Sequence, residues 1–186
     1  MERSRGLGNR GGDARRDYGG QRSLQHRQHH SPGGGRKRGT HRRALGRSRG
    51  GFTSKLHCLA DALGRPVAFH LTHGEAADCK AYDVLIGLPE RAPDALLADK
   101  GYDADAIRTD LAKRKDDAVI PGRSNRRVKI EYDRALYKQR NHIERMFGHL
   151  KINCAIAIRY DQLANSFLGM VHLATARYWL KFVHAA

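Results

Sequence analysis

The pattern of hydrophobic and polar residues divides the chain near residue 44. Residues 1–43 show no periodic apolar pattern, whereas short apolar runs separated by turn residues follow them. Two of these runs, FTSKLHCLA (Phe52–Ala60) and Val67–Thr72, have the composition of β-strands. The segment between them, DALGRP, carries a glycine and a proline and is typical of a turn, with Asp61 as a turn-forming residue. The pattern therefore predicts a β-hairpin.

Helical spacing and short apolar runs alternate through the rest of the chain. ALLA (Ala95–Ala98) has the length and composition of a buried strand, and Asp99 follows it directly. Apolar residues recur with helical spacing at Asp103–Lys115 and over about Arg134–Lys151. The order of hairpin, helix, strand, helix, strand and helix predicts an α/β fold. Further predicted elements are helices at Lys80–Leu88 and Leu163–His184, a strand at Ala118–Ile120, and an inner face of the last helix made by Leu163, Phe167, Met170, Val171 and Ala174.

Composition and charge change the picture for the first part of the chain. Residues 1–50 hold 14 lysines and arginines against 3 acids, and 13 of the 20 glycines lie in residues 1–51. Such a segment buries too little apolar surface to offset its ordering entropy, so residues 1–43 are predicted to be a disordered basic segment. The formal charge of the whole chain is +16, which favours a polyanionic partner such as nucleic acid. Three widely spaced cysteines without a CxxC pair are typical of reduced thiols in a cytosolic protein.

One acid stands among several bases in YKQRNHIERMFGHLK (residues 137–151). Tyr137, Arg140, Glu144 and Lys151 fall within about 60° of arc on one helix. Such a stripe is either a solvated face joined by ion pairs or a functional site. Asp99 lies where a buried strand ends, a place where ligands and metals collect in open α/β sheets. A divalent cation held by these two carboxylates would suit phosphoryl transfer, but the spacing alone leaves both readings open.

Several motifs in order resemble the DDE transposases of bacterial insertion sequences. Tyr137-x2-Arg140-x3-Glu144-x6-Lys151 is similar to their Tyr-Arg-Glu-Lys signature, and the insertion-sequence-five type is the most similar group. The resemblance covers residues 44–186, which are predicted to form the C-terminal part of a DDE catalytic domain. The other matching segments are ALGRSRGGFTSKLH (Ala44–His57), LADKGYDADAIR (Leu97–Arg108), VIPGRSNR (Val119–Arg126) and RYDQLANSFLGMVHLA (Arg159–Ala174).

The resemblance implies an RNase H-like fold, a mixed sheet flanked by helices, and DNA strand cleavage and transfer that depends on Mg²⁺, with Mn²⁺ as a substitute. It implies that Asp99 is the second metal-binding catalytic acid and Glu144 the third, and that Tyr137, Arg140 and Lys151 lie near the terminal DNA. The implied partners are the element's terminal inverted repeats, target DNA and further copies of the chain. The implied location is the bacterial cytoplasm, associated with the nucleoid and not with a membrane.

Basic residues outside the signature are candidates for phosphate contacts. They are Arg47 and Arg49 in GRSRGG, and Arg123 and Arg126 in the basic loop after Pro121. The alternative is that the loop is simply a solvated basic segment. Both readings fit the sequence equally.

The first acid of the family has no clear counterpart in this sequence. It is expected in an apolar strand upstream of GRSRGG, where Asp13 and Asp17 are the candidates and neither lies in such a strand. The sheet is therefore expected to lack its first strand, and the first 40-odd codons are hypothesised to be read in a shifted frame. This chain alone is then expected to be inactive. The alternative function is a non-catalytic basic DNA-binding protein, which replacement of Asp99 or Glu144 by alanine would distinguish.

Overall fold

The computed structural model describes residues 18–27, 46–48, 51–90, 93–158 and 163–183. These residues form a mixed α/β arrangement, as the sequence predicts. The strands are β1 (Tyr18–Arg27), β2 (Gly46–Ser48), β3 (Gly51–Ala60), β4 (Pro66–His73), β5 (Ala95–Ala98) and β6 (Asp117–Val119). The α-helices are α1 (Tyr82–Ile86), α2 (Asp105–Arg114), α3 (Arg134–Tyr137), α4 (Asn141–Lys151), α5 (Cys154–Ile158) and α6 (Ala164–Val183), with 3₁₀ turns at Asp78–Ala81, Lys100–Tyr102 and Lys138–Arg140.

The strands make one mixed sheet with β1 at its centre. β3 pairs with β1 on one side and with β4 and β2 on the other, always antiparallel. β1 pairs in parallel with β5, and β5 pairs in parallel with β6. The predicted hairpin is confirmed as β3 and β4, and its turn is held by Asp61, whose Oδ1 accepts hydrogen bonds from the backbone amides of Leu63 and Arg65.

The expectation that the sheet lacks its first strand is not confirmed. Tyr18–Arg27 forms β1, within the segment whose composition predicts disorder. Its sequence, YGGQRSLQHR, has two glycines and little apolar alternation, so the side-chain pattern gave no strand signal. β1 instead satisfies its backbone groups on both edges, through the ladders to β3 and β5. Position in the sheet, and not side-chain pattern, accounts for this strand.

Apolar residues alternate along β3 and supply both faces of the sheet. Leu56 and Cys58 pack with Ile143 and Phe147 of α4 and with the buried face of α6. Leu59 packs on the opposite face, in a cluster formed mainly by α1, α2 and β5. This two-sided burial is the expected result of the two-residue period of a strand.

The last helix has nearly its predicted boundaries, but one residue of its predicted buried face is exposed. Phe167 and Val171 are fully buried, and Ala174 packs beside them. Leu163 is wrong as a core residue: it is 53% exposed and precedes the first turn of α6. The short helix α5 was not predicted, because five residues are too few to show a helical period. Within the described ranges, no helix combines the length and apolar character that crossing a membrane requires.

The helical segment that carries the signature is made of three pieces. α3 begins at the N-cap Asp133, whose side chain accepts from the backbone amides of Ala135 and Leu136. The 3₁₀ turn Lys138–Arg140 joins α3 to α4 without a break. The predicted helix from Arg134 to Lys151 is thus confirmed in extent, with a tighter turn at Arg140 than the sequence indicated.

Acid sensitivity is expected from His57, a fully buried residue of β3. Its Nδ1 lies 2.9 Å from the Tyr102 hydroxyl and its Nε2 lies 2.8 Å from Thr72 Oγ1. Burial lowers the pKa of His57 from 6.5 to about 4. Between about pH 6.5 and 4 the His57 imidazole is protonated in the unfolded chain but neutral in the folded chain. The free energy of unfolding should therefore fall as the pH drops through this range.

Urea unfolding across that pH range measures this effect. The variant His57→Gln should have a flatter pH dependence than the wild-type protein, whatever its stability at neutral pH. Equal slopes for the two proteins would show that His57 is not responsible.

Candidate active site

Asp99 is placed by the buried strand that precedes it. All four residues of β5 are buried, and Asp99 continues the chain in an extended conformation before the turn Lys100–Tyr102. The Tyr102 amide donates to the Asp99 carbonyl at 2.8 Å, which fixes this change of direction. The Asp99 side chain is 30% exposed, so it lies at the surface end of the sheet, as the sequence predicts.

Glu144 is placed by the apolar face of α4. Ile143, Met146, Phe147 and Leu150 are buried against the sheet and hold the helix in place. Glu144 lies beside this face, in the first turn of the helix, with its side chain 38% exposed.

Arg140 joins the two carboxylates. Its Nη1 lies 2.6 Å from Asp99 Oδ1, and its Nη2 lies 2.7 Å from Glu144 Oε1. The two acids are 45 residues apart in sequence, yet they converge on one guanidinium. The structure therefore brings together Asp99, Arg140 and Glu144, three of the residues that the sequence predicts for the site.

Tyr137 contacts Arg140 and also packs against the sheet. Its ring lies 5.2 Å from the Arg140 guanidinium carbon, within range of a cation–π contact. The ring meets Tyr132 edge to face and packs against the cluster of Ala95, Leu97 and Val119. Burial raises the pKa of Tyr137. Lys151, the last residue of α4, is exposed about two turns beyond Glu144.

A cleft opens beside Asp99 and contains charged residues that sequence reasoning missed. Lys55 of β3 and Asp78 line it together with Asp99, Lys100 and Arg123. Lys55 Nζ lies 2.9 Å from Asp78 Oδ1 and donates to the Ala76 carbonyl at 2.8 Å. The sequence did contain a signal for this pair. A lysine in the middle of a strand whose neighbours are buried needs a charged partner, and Lys55 is such a residue.

The basic loop is anchored by Asp103, whose side chain is fully buried. Arg126 Nε lies 2.6 Å from Asp103 Oδ2, and Arg108 lies 2.9 Å from Oδ1. The Arg123 amide also donates to Oδ2, at 2.8 Å. Burial alone would raise the pKa of Asp103, but the hydrogen bonds from Arg126, Arg123 and Arg108 outweigh it and lower the pKa to about 2.

The two arginines predicted to contact DNA from this loop differ in their surroundings. Arg126 binds Asp103 and, through Nη2 at 2.5 Å, Asp105. Arg123 is exposed, and its guanidinium contacts carbonyl oxygens, with Nη2 3.1 Å from that of Gly101. Arg123 is therefore better placed for a phosphate, and both assignments stay predictions.

The remaining candidates lie at the N-terminal side of the chain. Arg47 belongs to β2, where its backbone pairs with Phe52. Arg49 lies outside the described residues, as do Asp13 and Asp17.

The donor set fits a divalent cation in part. Two carboxylate oxygens converge on the position of one guanidinium, and Mg²⁺ is bound in proteins by one or two carboxylates together with water and substrate phosphate. Within the part of the chain that the structure describes, no group of three histidine, cysteine, aspartate or glutamate side chains could hold a metal. Asp99 and Glu144 therefore fit two of the three acids that the resemblance implies.

Comparison with known proteins identifies the family. The model of the transposase DDE domain matches residues 23–179. A protein of Brucella ovis, named "Putative transposase for insertion sequence element IS6501", is 38% identical over 132 residues, which make up 70% of this chain and the whole of that protein. No solved structure matches the chain. Because the family model matches most of its length and this relative is matched over its whole length, the chain belongs to the DDE transposases of insertion sequences.

Proposed function

We propose that this transposase domain cleaves and joins DNA strands at the ends of an insertion element of the insertion-sequence-five type, and that it does so with Mg²⁺ held by Asp99 and Glu144. The observation that supports the proposal most is that both carboxylates contact the Arg140 guanidinium at the carboxyl end of β5. The mixed sheet, in which the central strand β1 is antiparallel to β3 and parallel to β5, is consistent with an RNase H-like fold. Mn²⁺ is the expected substitute for Mg²⁺.

Each residue of the site has a separate task in this proposal. Mg²⁺ held by Asp99 and Glu144 would supply a Lewis acid for the attacking and leaving oxygens. Asp99 and Glu144 supply its oxygen ligands from two rigid elements. Tyr137 packs against the end of the sheet and orients Arg140 through its ring.

DNA binding is proposed for the basic residues around the cleft. Arg123 lies at the rim beside Asp99, and Lys151 extends the same helix stripe away from it. With Arg47, Arg49, Arg126, Arg140 and Tyr137, these residues are proposed to contact the terminal inverted repeats and the target DNA. A formal charge of +16 supports salt-dependent binding to DNA. Homo-oligomers and a cytoplasmic, nucleoid-associated location belong to the same proposal.

Low activity of this chain by itself is also proposed. β1 is the strand next to Asp99, and its sequence, YGGQRSLQHR, contains no acid. The register pairs Gln21 with Ala98, the residue before Asp99, so β1 runs past the end of β5 without supplying a third carboxylate. Cleavage of the element's own ends by the purified chain with Mg²⁺ or Mn²⁺ would contradict this part of the proposal.

Metal binding tests the proposed ligands without requiring activity. Asp99→Asn and Glu144→Gln should each weaken Mn²⁺ binding by about tenfold or more, because each removes one of few charged oxygen ligands. Asp83→Asn is the matched control, since Asp83 is exposed on α1. Mn²⁺ electron paramagnetic resonance titrations measure the affinities. Unchanged affinity in both site variants would refute these ligands.

The non-catalytic alternative is not favoured. A DNA-binding protein without catalysis needs no pair of carboxylates at the end of a buried strand, whereas a member of the DDE transposases does. Neutralising Asp99 should leave DNA affinity nearly unchanged in either case, so DNA binding alone does not separate the two functions.

A further inference from the structure

Arg140 occupies the point at which the two proposed metal ligands converge. Its side chain is 20% exposed, and both arms of the guanidinium are engaged, one by Asp99 and one by Glu144. A guanidinium presents its donors in a rigid planar fork, so it can hold two carboxylates at a fixed separation. The contacts with Arg140 therefore set the separation of the two acids.

Two carboxylates that approach one another repel unless a cation lies between them. In the described part of the structure Arg140 is a cation that contacts both carboxylates, and two further features set its position. The Tyr137 ring lies below the guanidinium at 5.2 Å, and the 3₁₀ turn Lys138–Arg140 presents the residue to Glu144 four positions later. These contacts orient the arginine towards Asp99 and not towards solvent.

We propose that Arg140 is an internal counter-ion that holds Asp99 and Glu144 together in the metal-free protein and competes with the divalent cation for them. The inference rests on the proposed function, because it takes Asp99 and Glu144 as the ligands. Metal binding then requires that the guanidinium leaves at least one carboxylate. A released guanidinium fits a phosphate as well as it fits a carboxylate, so the same residue becomes available to DNA once the metal is bound.

Metal affinity of the full chain at neutral pH tests the competition, with Mn²⁺ as the probe and electron paramagnetic resonance as the readout. Arg140→Gln removes the competing cation and should tighten Mn²⁺ binding by about three- to tenfold, the range expected when modest, partly exposed ion pairs no longer oppose the metal. Arg140→Lys keeps the charge but loses the fork, and it should tighten binding by a smaller factor. A purely structural role for Arg140 predicts equal or weaker binding in both variants.

The control is Arg145→Gln, an exposed arginine of the same helix whose loss changes the net charge by the same amount. It should alter Mn²⁺ affinity much less than Arg140→Gln does. Equal tightening by both glutamine variants would mean that overall charge, and not competition at the carboxylates, controls the affinity, and it would overturn the inference.

Asp99→Asn separates this inference from the proposed function. If Asp99→Asn weakens Mn²⁺ binding while neither Arg140 variant tightens it, the inference is wrong and the metal ligands stand. If Asp99→Asn has no effect, the ligand assignment fails, and the inference fails with it.

A measurement without metal tests the ion pair itself. In the presence of EDTA, urea unfolding of Arg140→Gln, Glu144→Gln and the double variant should show that the two substitutions are coupled. Additive effects would overturn the counter-ion role even if a single variant folds poorly.

Discussion

Replacement of Asp103 by asparagine is expected to lower the free energy of unfolding by about 3 to 5 kcal/mol, the usual cost of removing one partner from a buried ionic cluster. Asp103 is fully buried and binds three groups from two segments: the guanidinium groups of Arg108 and Arg126, and the Arg123 amide. An amide side chain keeps the volume but carries no charge, so the arginines lose their counter-ion. The loop that begins after Pro121 should lose its anchor at the same time.

Urea unfolding measures the loss, and Asp105→Asn is the matched control. Asp105 also binds Arg126, but its side chain is 83% exposed, so its loss should change stability by no more than about 0.5 kcal/mol. Similar effects of the two variants would show that burial of Asp103 contributes nothing beyond a surface ion pair.

The Asp103 carboxyl also makes the free energy of unfolding depend on pH. The pKa of Asp103 is about 2 in the folded protein, below its value of 3.8 in model compounds. Its contribution is therefore present above pH 4 and is lost as the pH falls from about 4 towards 2. This window lies below that of His57, so unfolding measurements separate the two groups.

Replacement of Arg22 by aspartate is expected to tighten Mn²⁺ binding by about tenfold or more. The register pairs Gln21 with Ala98, so residue 22 is the β1 position next in line with Asp99, and the substitution adds a carboxylate at this end of β5 and removes a positive charge. A third oxygen ligand and a lower local charge both favour a divalent cation. The effect on strand cleavage should have the same direction.

Arg27→Asp is the matched control for this substitution. Arg27 is the last residue of β1, five positions beyond residue 22 and paired with Thr53, and its replacement changes the net charge identically. Isothermal titration with Mn²⁺ compares the two variants. Equal tightening would show that charge alone is responsible, and no tightening at residue 22 would mean that β1 does not present this position to the site.

Much of the site could be predicted from the sequence because its signals are local. The apolar run Ala95–Ala98 predicted a buried strand, and the structure confirms those boundaries and places Asp99 at its end. The helical offsets from Tyr137 to Glu144 predicted a shared stripe, and Arg140 does contact both Tyr137 and Glu144. Signals of this kind depend on residues within a few turns of one another.

What the sequence did not show depends on distant partners. The contact between Arg140 and Asp99 spans 41 residues, and the contact between Arg126 and Asp103 spans 23 residues, so no periodic pattern records either of them. The strand Tyr18–Arg27 has the composition of a flexible segment, and its place follows from ladders to β3 and β5. Tertiary pairing outweighed local propensity there.

The central place of β1 has a consequence for how the protein opens. The antiparallel strands β2, β3 and β4 connect to the parallel strands β5 and β6 in the sheet through β1. If β1 departs, the backbone hydrogen bonds of the sheet separate into two sets. The two sets are then joined by side-chain contacts, such as the cluster that contains Leu59 of β3 and Leu96 of β5 and the hydrogen bond between His57 and Tyr102. Hydrogen exchange would then show two cooperative units, one containing β2, β3 and β4 and the other containing β5 and β6. Their separation would require that β1 leaves the sheet.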